Sequence, residues 1–145
     1  MRLLKVFLLL ISVLLLFGAA FSENSNVKLT VIVEGVNKTG GTIGVYVFRS
    51  EKGWPESSDQ CFRRIVVPAH PGIVRVEVPD LPAGTYAVAV GHDSNLNHHV
   101  DKNWLGKPTE QWGLSNNPHV GLKAPGFSKA QFALNSDTEI HIQLR

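Results

Sequence analysis

Short runs of alternating apolar and polar residues recur along this chain, and they constrain its fold more than any other feature. In residues 27–34 every second position holds valine or leucine, and the positions between them are mostly polar. A period of two indicates a strand with one buried face, because successive side chains of a strand point to opposite sides. The chain has seven such runs, at residues 27–34, 42–49, 61–67, 73–78, 86–91, 129–134 and 139–144.

The segments between these runs are rich in glycine, proline and asparagine, which favour turns. The sequence contains no amphipathic run long enough for a helix of ten residues. Together these patterns predict an all-β protein, a seven-stranded antiparallel Greek-key β-sandwich of the immunoglobulin or transthyretin-like type.

Residues 80–86 predict how the chain passes between the two sheets. Pro82 and Gly84 form a corner just before Tyr86, at the start of an apolar run. This order is typical of a tyrosine corner, in which the ring packs inward and the hydroxyl binds backbone a few residues upstream. We therefore expect the Tyr86 hydroxyl to bind the backbone of residues 80–84.

The N-terminus has the pattern of a secretory signal peptide. Two basic residues precede the apolar segment 7–17, which at about 11 residues is too short to span a bilayer. The small residues Ala20 and Ser22 then provide a cleavage site. The pattern predicts a signal peptide at 1–22 and a single mature domain at 23–145, exported to the bacterial periplasm or secreted, with no membrane anchor after cleavage.

Charge and cysteine content narrow the class of protein. Removing residues 1–22 takes away two of the 14 basic residues and leaves 12 against 12 acidic residues. A neutral chain lacks the basic surface that nucleic-acid binding requires, so we expect no nucleic-acid partner. Cys61 is the only cysteine. It is a small apolar residue of a strand, a reactive thiol or an intermolecular link.

Residues 92–128 show no sustained period, and a loop of this length in a small domain is usually functional. Acidic and amide side chains stand at positions 1, 3, 5 and 9 from Asp93, which is the ligand spacing of a calcium loop. A backbone carbonyl at position 7 and a carboxylate that folds back could complete the shell. The candidate calcium ligands are Asp93, Asn95, Asn97, His99, Asp101 and Glu110.

Two positions depart from the calcium pattern. Position 12 holds Trp104 in place of the usual glutamate, and position 6 holds His98 where a sharp turn normally needs glycine. In such a loop His98 would take a positive φ. The alternative is that these Asp and Asn side chains hold the loop by Asx-turn hydrogen bonds to its own backbone.

Two other sets of side chains are candidates for function. Histidines at 92, 98, 99 and 119 could bind zinc or copper in a metal-dependent hydrolase, or they could be solvated loop residues. Tryptophans at 54, 104 and 112 could form a platform for a protein, peptide or glycan, or they could pack as a local core. The chain has no G-x-S-x-G, H-E-x-x-H or C-x-x-C motif, so a nucleophilic Ser115 has little support.

Several segments in a fixed order carry a resemblance to a known family. They are residues 81–86 (LPAGTY), 92–97 (HDSNLN), 101–110 (DKNWLGKPTE) and 113–117 (GLSNN). With them the chain resembles the bacterial domain-of-unknown-function family 2141, exported β-domains similar to transthyretin-like and carboxypeptidase-regulatory-like sandwiches. The resemblance implies the fold and no activity. Relatives usually carry glycine where this chain has Leu96 and His98.

The leading hypothesis from the sequence is an exported, non-enzymatic β-sandwich that acts as a binding or accessory module. The first alternative is a structural calcium-binding module, and the second is a metal-dependent enzyme that uses the loop histidines.

Overall fold

The computed structural model describes residues 26–98, 101–106, 108–121 and 123–145. They form an all-β structure of two sheets, with one four-residue α-helix and one 3-10 turn. The expected signal peptide, residues 1–22, lies outside the described residues. The strands are β1 (Val27–Val36), β2 (Thr42–Phe48), β3 (Arg63–Pro68), β4 (Gly72–Leu81), β5 (Gly84–Asp93), β6 (Trp112–Leu114), β7 (Phe132–Leu134) and β8 (Thr138–Gln143). The 3-10 turn is Ser58–Gln60 and the helix is α1 (Phe127–Ala130).

The smaller sheet has the strand order β4-β1-β8, and the larger has the order β3-β2-β5-β6, with β7 also paired to β5. The alternating valines, leucines and isoleucines of both sheets meet in one buried cluster between them. Leu29, Val45, Val78 and Val88 are completely buried there. The predicted period of two is therefore confirmed, and its apolar face forms the core.

The expectation of seven strands was wrong in two places. Residues 112–114, which we expected to be loop, form β6 against β5. Residues 129–134 form the end of α1 and then β7. The helix forms because Phe127 and Ala130, three residues apart, both turn inward and are buried. The described residues therefore contain eight strands.

The prediction of an entirely antiparallel arrangement was also wrong. Strand β8 pairs with β1 in the parallel direction, with Val31 opposite Ile140 and Val33 opposite Ile142. The alternation of apolar residues reads the same in both directions, so it cannot set the direction of a strand. The direction depends on where the chain leaves β7, which is a property of the tertiary fold.

The tyrosine corner is confirmed. Tyr86 is completely buried, and its hydroxyl donates a hydrogen bond of 2.7 Å to the carbonyl oxygen of Pro82. The chain passes at this point from β4 in the smaller sheet to β5 in the larger sheet. The bond therefore fixes the link between the sheets.

A second apolar cluster covers the outer face of the larger sheet. It contains Phe48, Ala87 and Leu114 from the sheet and Phe127 and Ala130 from α1. Loops consequently fold back over this face. No helix in the described part of the chain is long and apolar enough to cross a membrane.

Candidate functional site

The loop after β5 is organised by the carboxylate of Asp93. Its Oδ1 accepts the backbone N–H of Asn97 at 3.1 Å, and its Oδ2 accepts that of His98 at 2.8 Å. Asn95 Oδ1 also accepts the N–H of Asn97, at 3.1 Å. Asp93 ends a strand and its side chain is only 13% exposed, so these bonds anchor the turn on the rigid sheet.

Asp101 and Glu110 close the other half of the loop. Asp101 accepts the side-chain amides of Asn95 at 2.7 Å and Asn97 at 2.8 Å. Glu110 folds back onto the loop: one oxygen accepts both the N–H and the hydroxyl of Ser94 at 2.8 Å, and the other accepts the N–H of Asp101 at 3.3 Å. Every carboxylate of the loop thus binds donors of the loop itself.

The backbone takes the left-handed conformation at Leu96 and His98. The φ angles are 63° at Leu96 and 65° at His98. The expected positive φ at His98 is therefore confirmed. Each non-glycine residue in this region costs about 1–2 kcal/mol, which the surrounding hydrogen bonds must offset.

These bonds are of the kind that the Asx-turn hypothesis expects. Calcium binding by the loop stays a prediction. Five of the six candidate ligands lie in the described loop, whereas His99 lies outside the described residues. Within the described ranges, no three His, Cys, Asp or Glu side chains are grouped closely enough to hold a metal ion.

The histidines occupy different environments. His92 is buried at the end of β5, and its Nε2 lies 2.9 Å from the carbonyl oxygen of Gly40 in the β1–β2 turn. His98 is exposed on the loop, with its Nδ1 3.7 Å from Asp93 Oδ2. His119 is exposed beyond β6. His92 therefore joins the end of β5 to the β1–β2 turn.

A cavity of about 230 Å³ lies between the outer face of the larger sheet and the loops that cover it. The sheet contributes an apolar surface made of Tyr46, Ala89, Gly91, Gly113 and Leu114. The loops contribute Pro55, Pro108 and Ala124, and β6 contributes Trp112. The charged or titratable groups are Glu56, Asp93, His98, Lys102 and Glu110. A concave, mainly apolar surface with a few polar groups is the usual form of a small-molecule site.

The space exists because the outer face of β5 carries small residues. Ala87, Ala89 and Gly91 alternate with the core valines, and their small side chains leave room on that face. The sequence did not predict that the loop would fold over this room, since the covering contacts come from distant residues.

Tyr46 forms one side of the cavity and lies flat on Gly44. A Cβ atom on Gly44 would meet the Tyr46 hydroxyl oxygen at 2.5 Å and the ring carbons at 2.7–2.8 Å, so glycine is required there. Burial raises the pKa of the Tyr46 hydroxyl; the positive charge of Arg64 lowers it in part, and the negative charge of Asp93 raises it further. The phenol is therefore neutral at physiological pH.

An ion pair joins two of the covering loops. Lys102 Nζ lies 2.7 Å from Glu56 Oε2, and both side chains also line a second, more polar cavity of about 650 Å³. Pro108, Trp112 and Ala124 line both cavities as well. The two spaces are therefore neighbours, and the Lys102–Glu56 pair lines both.

The three tryptophans do not form one platform. Trp54 packs edge-on against Phe48 and Phe127, at centroid distances of 5.3 and 5.8 Å, and its Nε1 donates to the carbonyl of Pro125 at 2.9 Å. Trp112 lines the cavity, and Trp104 is 90% exposed. Trp54 thus belongs to a local core.

Residues 113–117 have a structural role. The buried Ser115 hydroxyl donates to the carbonyl of Ala130 at 2.6 Å and accepts the N–H of Val88 at 2.9 Å. Because it is buried and bound to two backbone groups, this hydroxyl is not placed to act as a nucleophile. Asn117 continues the connection by donating to His141 O at 3.0 Å and accepting Gln143 N at 2.9 Å. The segment therefore ties β5, α1 and β8 together.

Cys61 packs against the second apolar cluster and is partly exposed. Its Sγ donates to the carbonyl of Ser58 at 3.0 Å. Burial raises the pKa of the thiol. A raised pKa reduces the thiolate fraction, so this environment does not activate the residue as a nucleophile.

Comparison with known proteins gives one match. A family model described as "Uncharacterized protein conserved in bacteria (DUF2141)" matches residues 31–143. No curated protein and no solved structure matches the chain.

Proposed function

The chain belongs to this bacterial family, and from that premise we propose that it is an exported, non-enzymatic binding or accessory module whose ligand occupies the cavity between the larger sheet and the loop after β5. We further propose that its two sheets form a Greek-key sandwich of the transthyretin-like type. The tyrosine corner at Tyr86 supports this topology, because such corners lie where a chain crosses between sheets.

One observation carries the proposal: a cavity of about 230 Å³ has an apolar base on rigid strands and a charged border on a loop fixed by hydrogen bonds. Strands and a fixed loop keep the shape of the cavity without a ligand. Such preorganisation lowers the entropic cost of binding. A cavity of this size fits a small molecule, one side chain of a peptide or one sugar unit of a glycan.

Fragment binding followed by protein NMR tests the proposal. Phenol and indole are the probes, and we expect the largest amide shifts at Ala89, Gly91 and Gly113. Ala89→Leu should fill the cavity and abolish these shifts. Ala133→Leu is the matched control, because Ala133 lies exposed on β7. Shifts scattered over the surface, or unchanged in Ala89→Leu, would refute the proposed site.

Export is tested separately, by N-terminal sequencing of the protein purified from its native host. Processing near Ser22 is the expected result. A mature protein that retains the apolar segment 7–17 would disprove it.

A structural calcium module is the second candidate, favoured by the Asp93 turn. Its positive φ at His98 is what position 6 of a calcium loop requires. If calcium binds, ten times its Kd should add about 1.4 kcal/mol of stability, visible as a higher Tm. Asp101→Ala should remove this gain, and Asp59→Ala, an exposed carboxylate on the 3-10 turn, should keep it. Equal Tm values in calcium and in chelator would exclude this role.

A further inference from the structure

We propose that the turn at residues 103–106 inserts reversibly into the surface of an anionic lipid membrane. Its two central residues are Trp104, which is 90% exposed, and Leu105, which is 58% exposed. Neither residue lines the cavity of about 230 Å³, so this contact uses a different surface and goes beyond the proposed function. The contact is peripheral, with a single turn entering the headgroup layer.

The turn is closed by groups other than its two apolar side chains. Gly106 N–H donates to the carbonyl oxygen of Asn103 at 2.8 Å, and Leu105 N–H donates to Asn103 Oδ1 at 3.0 Å. Gly106 has a φ of 75°, in the left-handed region that favours glycine. Asn103 and Gly106 therefore supply the turn chemistry, and the turn itself does not require Trp104 and Leu105 at its centre.

The turn stands on a fixed base. Lys102 and Pro108 form an antiparallel bridge on its two arms. Thr109 donates both its N–H and its hydroxyl to the carbonyl oxygen of Asp101, at 2.7 and 3.1 Å. Because these bonds hold the arms together before any partner arrives, little ordering is left to be done on binding.

The size of this apolar surface favours lipid over a protein partner. A stable protein interface buries about 800 Å² on each partner, which is far more than two side chains at the end of a turn provide. A fluid headgroup layer closes around a small apolar projection and needs no matching surface. Tryptophan is enriched at that layer because its ring is apolar and its N–H binds polar groups.

The backbone of the turn is suited to less polar surroundings. An N–H group that leaves water without a partner costs free energy. The N–H groups of Leu105 and Gly106 are already bonded to Asn103, so this cost is reduced at the end of the turn. Burial of the indole and the leucine side chain then provides the driving force.

The charge beside the turn favours anionic lipid. Leu105 lines the larger cavity, whose charged lining residues are Glu56, Lys102 and Lys123. Glu56 and Lys102 offset each other in the ion pair of 2.7 Å, so the positive charge of Lys123 remains. A cationic side chain beside an inserting turn is attracted to an anionic headgroup.

Other residues of the loop do not reverse this sign at the turn. The loop residues outside the described ranges include no acid; they are His99, Val100, Lys107 and Leu122. Asp101 and Glu110 are not part of the larger cavity's lining, and their oxygens bind donors of residues 94–101 at the base of the loop. The turn therefore presents apolar side chains next to a positive charge.

Sedimentation with lipid vesicles tests the proposal. The protein is the form that the native host releases, with its N-terminus sequenced as in the export test, so that segment 7–17 is known to be absent. The vesicles contain phosphatidylcholine alone or an equal mixture of phosphatidylcholine and phosphatidylglycerol. We expect the mixture to bind the protein several-fold more tightly, and high salt to remove the difference because it screens the charges.

Trp104→Ala should lower the partition coefficient about tenfold and Leu105→Ala about fivefold, from the apolar area that each removes. Ile73→Ala is the matched control, because Ile73 is 60% exposed on β4 and should leave binding unchanged. Lys123→Gln should weaken binding to the mixture alone, about fivefold. Lys28→Gln, on β1 of the smaller sheet, should have no such effect.

Vesicles with brominated acyl chains identify the tryptophan that enters the membrane, because bromine quenches tryptophan fluorescence only at close range. Trp104→Phe keeps an aromatic side chain, so it should still sediment with the vesicles but lose the quenching. Unchanged sedimentation of Trp104→Ala, or unchanged quenching in Trp104→Phe, would overturn the proposal. Failure of the wild type to bind either kind of vesicle would overturn it in favour of a protein partner.

Discussion

Tyr86→Phe is the sharpest test of how the two sheets are joined. The substitution removes one oxygen atom from a completely buried side chain and keeps the ring, which lies 6.0 Å from the ring of Phe62. It leaves the Pro82 carbonyl without its 2.7 Å donor. Pro82 is itself half-buried, so water can reach part of this corner.

The expected cost follows from that environment. A hydrogen bond of this kind contributes about 1 kcal/mol, and the loss rises toward ~3 kcal/mol only if the acceptor stays dry. We therefore expect Tyr86→Phe to lose about 1 kcal/mol, which lowers Tm by about 3–5 °C for a domain of this size. Tyr86→Ala also removes the ring and should cost about 3–5 kcal/mol through the cavity it leaves.

Equilibrium unfolding in denaturant measures the loss of stability in both Tyr86 variants. An unchanged m-value would show that the variants and the wild type expose the same amount of surface on unfolding. Tyr46→Phe is the matched control, since Tyr46 is the only other tyrosine and is only half-buried. A Tyr86→Phe protein as stable as the wild type would show that the bond to Pro82 contributes nothing. Equal, negligible losses in both Tyr86 variants would refute the burial of the ring.

Two further predictions concern the packing of β6 and the outer face of the smaller sheet. Gly113→Ala should destabilise the protein in thermal melts, because its Cβ would lie 2.6 Å from Ile142 Cγ2. Gly121→Ala is the control and should be neutral, since no atom lies within 4 Å of the added Cβ. Equal Tm values for the two variants would show that β6 can shift freely. His141 Nδ1 donates a 2.7 Å hydrogen bond to the Glu34 carboxylate, and this bond raises the pKa of His141. Because the raised pKa belongs to the folded state, the added stability is fully present below the unfolded value of about 6.5 and is lost as pH rises through the folded pKa. Denaturant melts at pH 5.5 and 8.5 should therefore show a larger loss for His141→Gln at the lower pH, and a pH-independent difference would contradict this linkage.

The loop after β5 could be predicted in part from the sequence. The spacing from Asp93 indicated a tight, oxygen-rich turn, and the structure has that turn, with a positive φ at His98. Glu110 was named as a calcium ligand that could fold back. Its carboxylate accepts N–H groups of Ser94 and Asp101, and its role as a ligand stays a prediction. The sequence did not distinguish self-binding from ion binding, because the same Asp and Asn oxygens serve both.

The cavity could be predicted less well. Small residues on the outer face of β5 indicated space, but the cover comes from segments far apart in the chain. Trp54 reaches Pro125, 71 residues away, and Lys102 reaches Glu56, 46 residues away. No local pattern records such contacts, so no rule of spacing could have found them.

By itself the sequence determined the strands of the core and the tyrosine corner, because alternation and a Pro-Gly corner act within a few residues. Tertiary structure decided the parallel direction of β8, the added strand β6 and the helix at Phe127–Ala130. Each of these depends on a partner distant in sequence. β6 binds β5 on one side and the backbone of Arg145 on the other, at 3.0 and 3.2 Å. A three-residue segment has too little pattern to specify a strand, and it becomes one only where both neighbours are already in place.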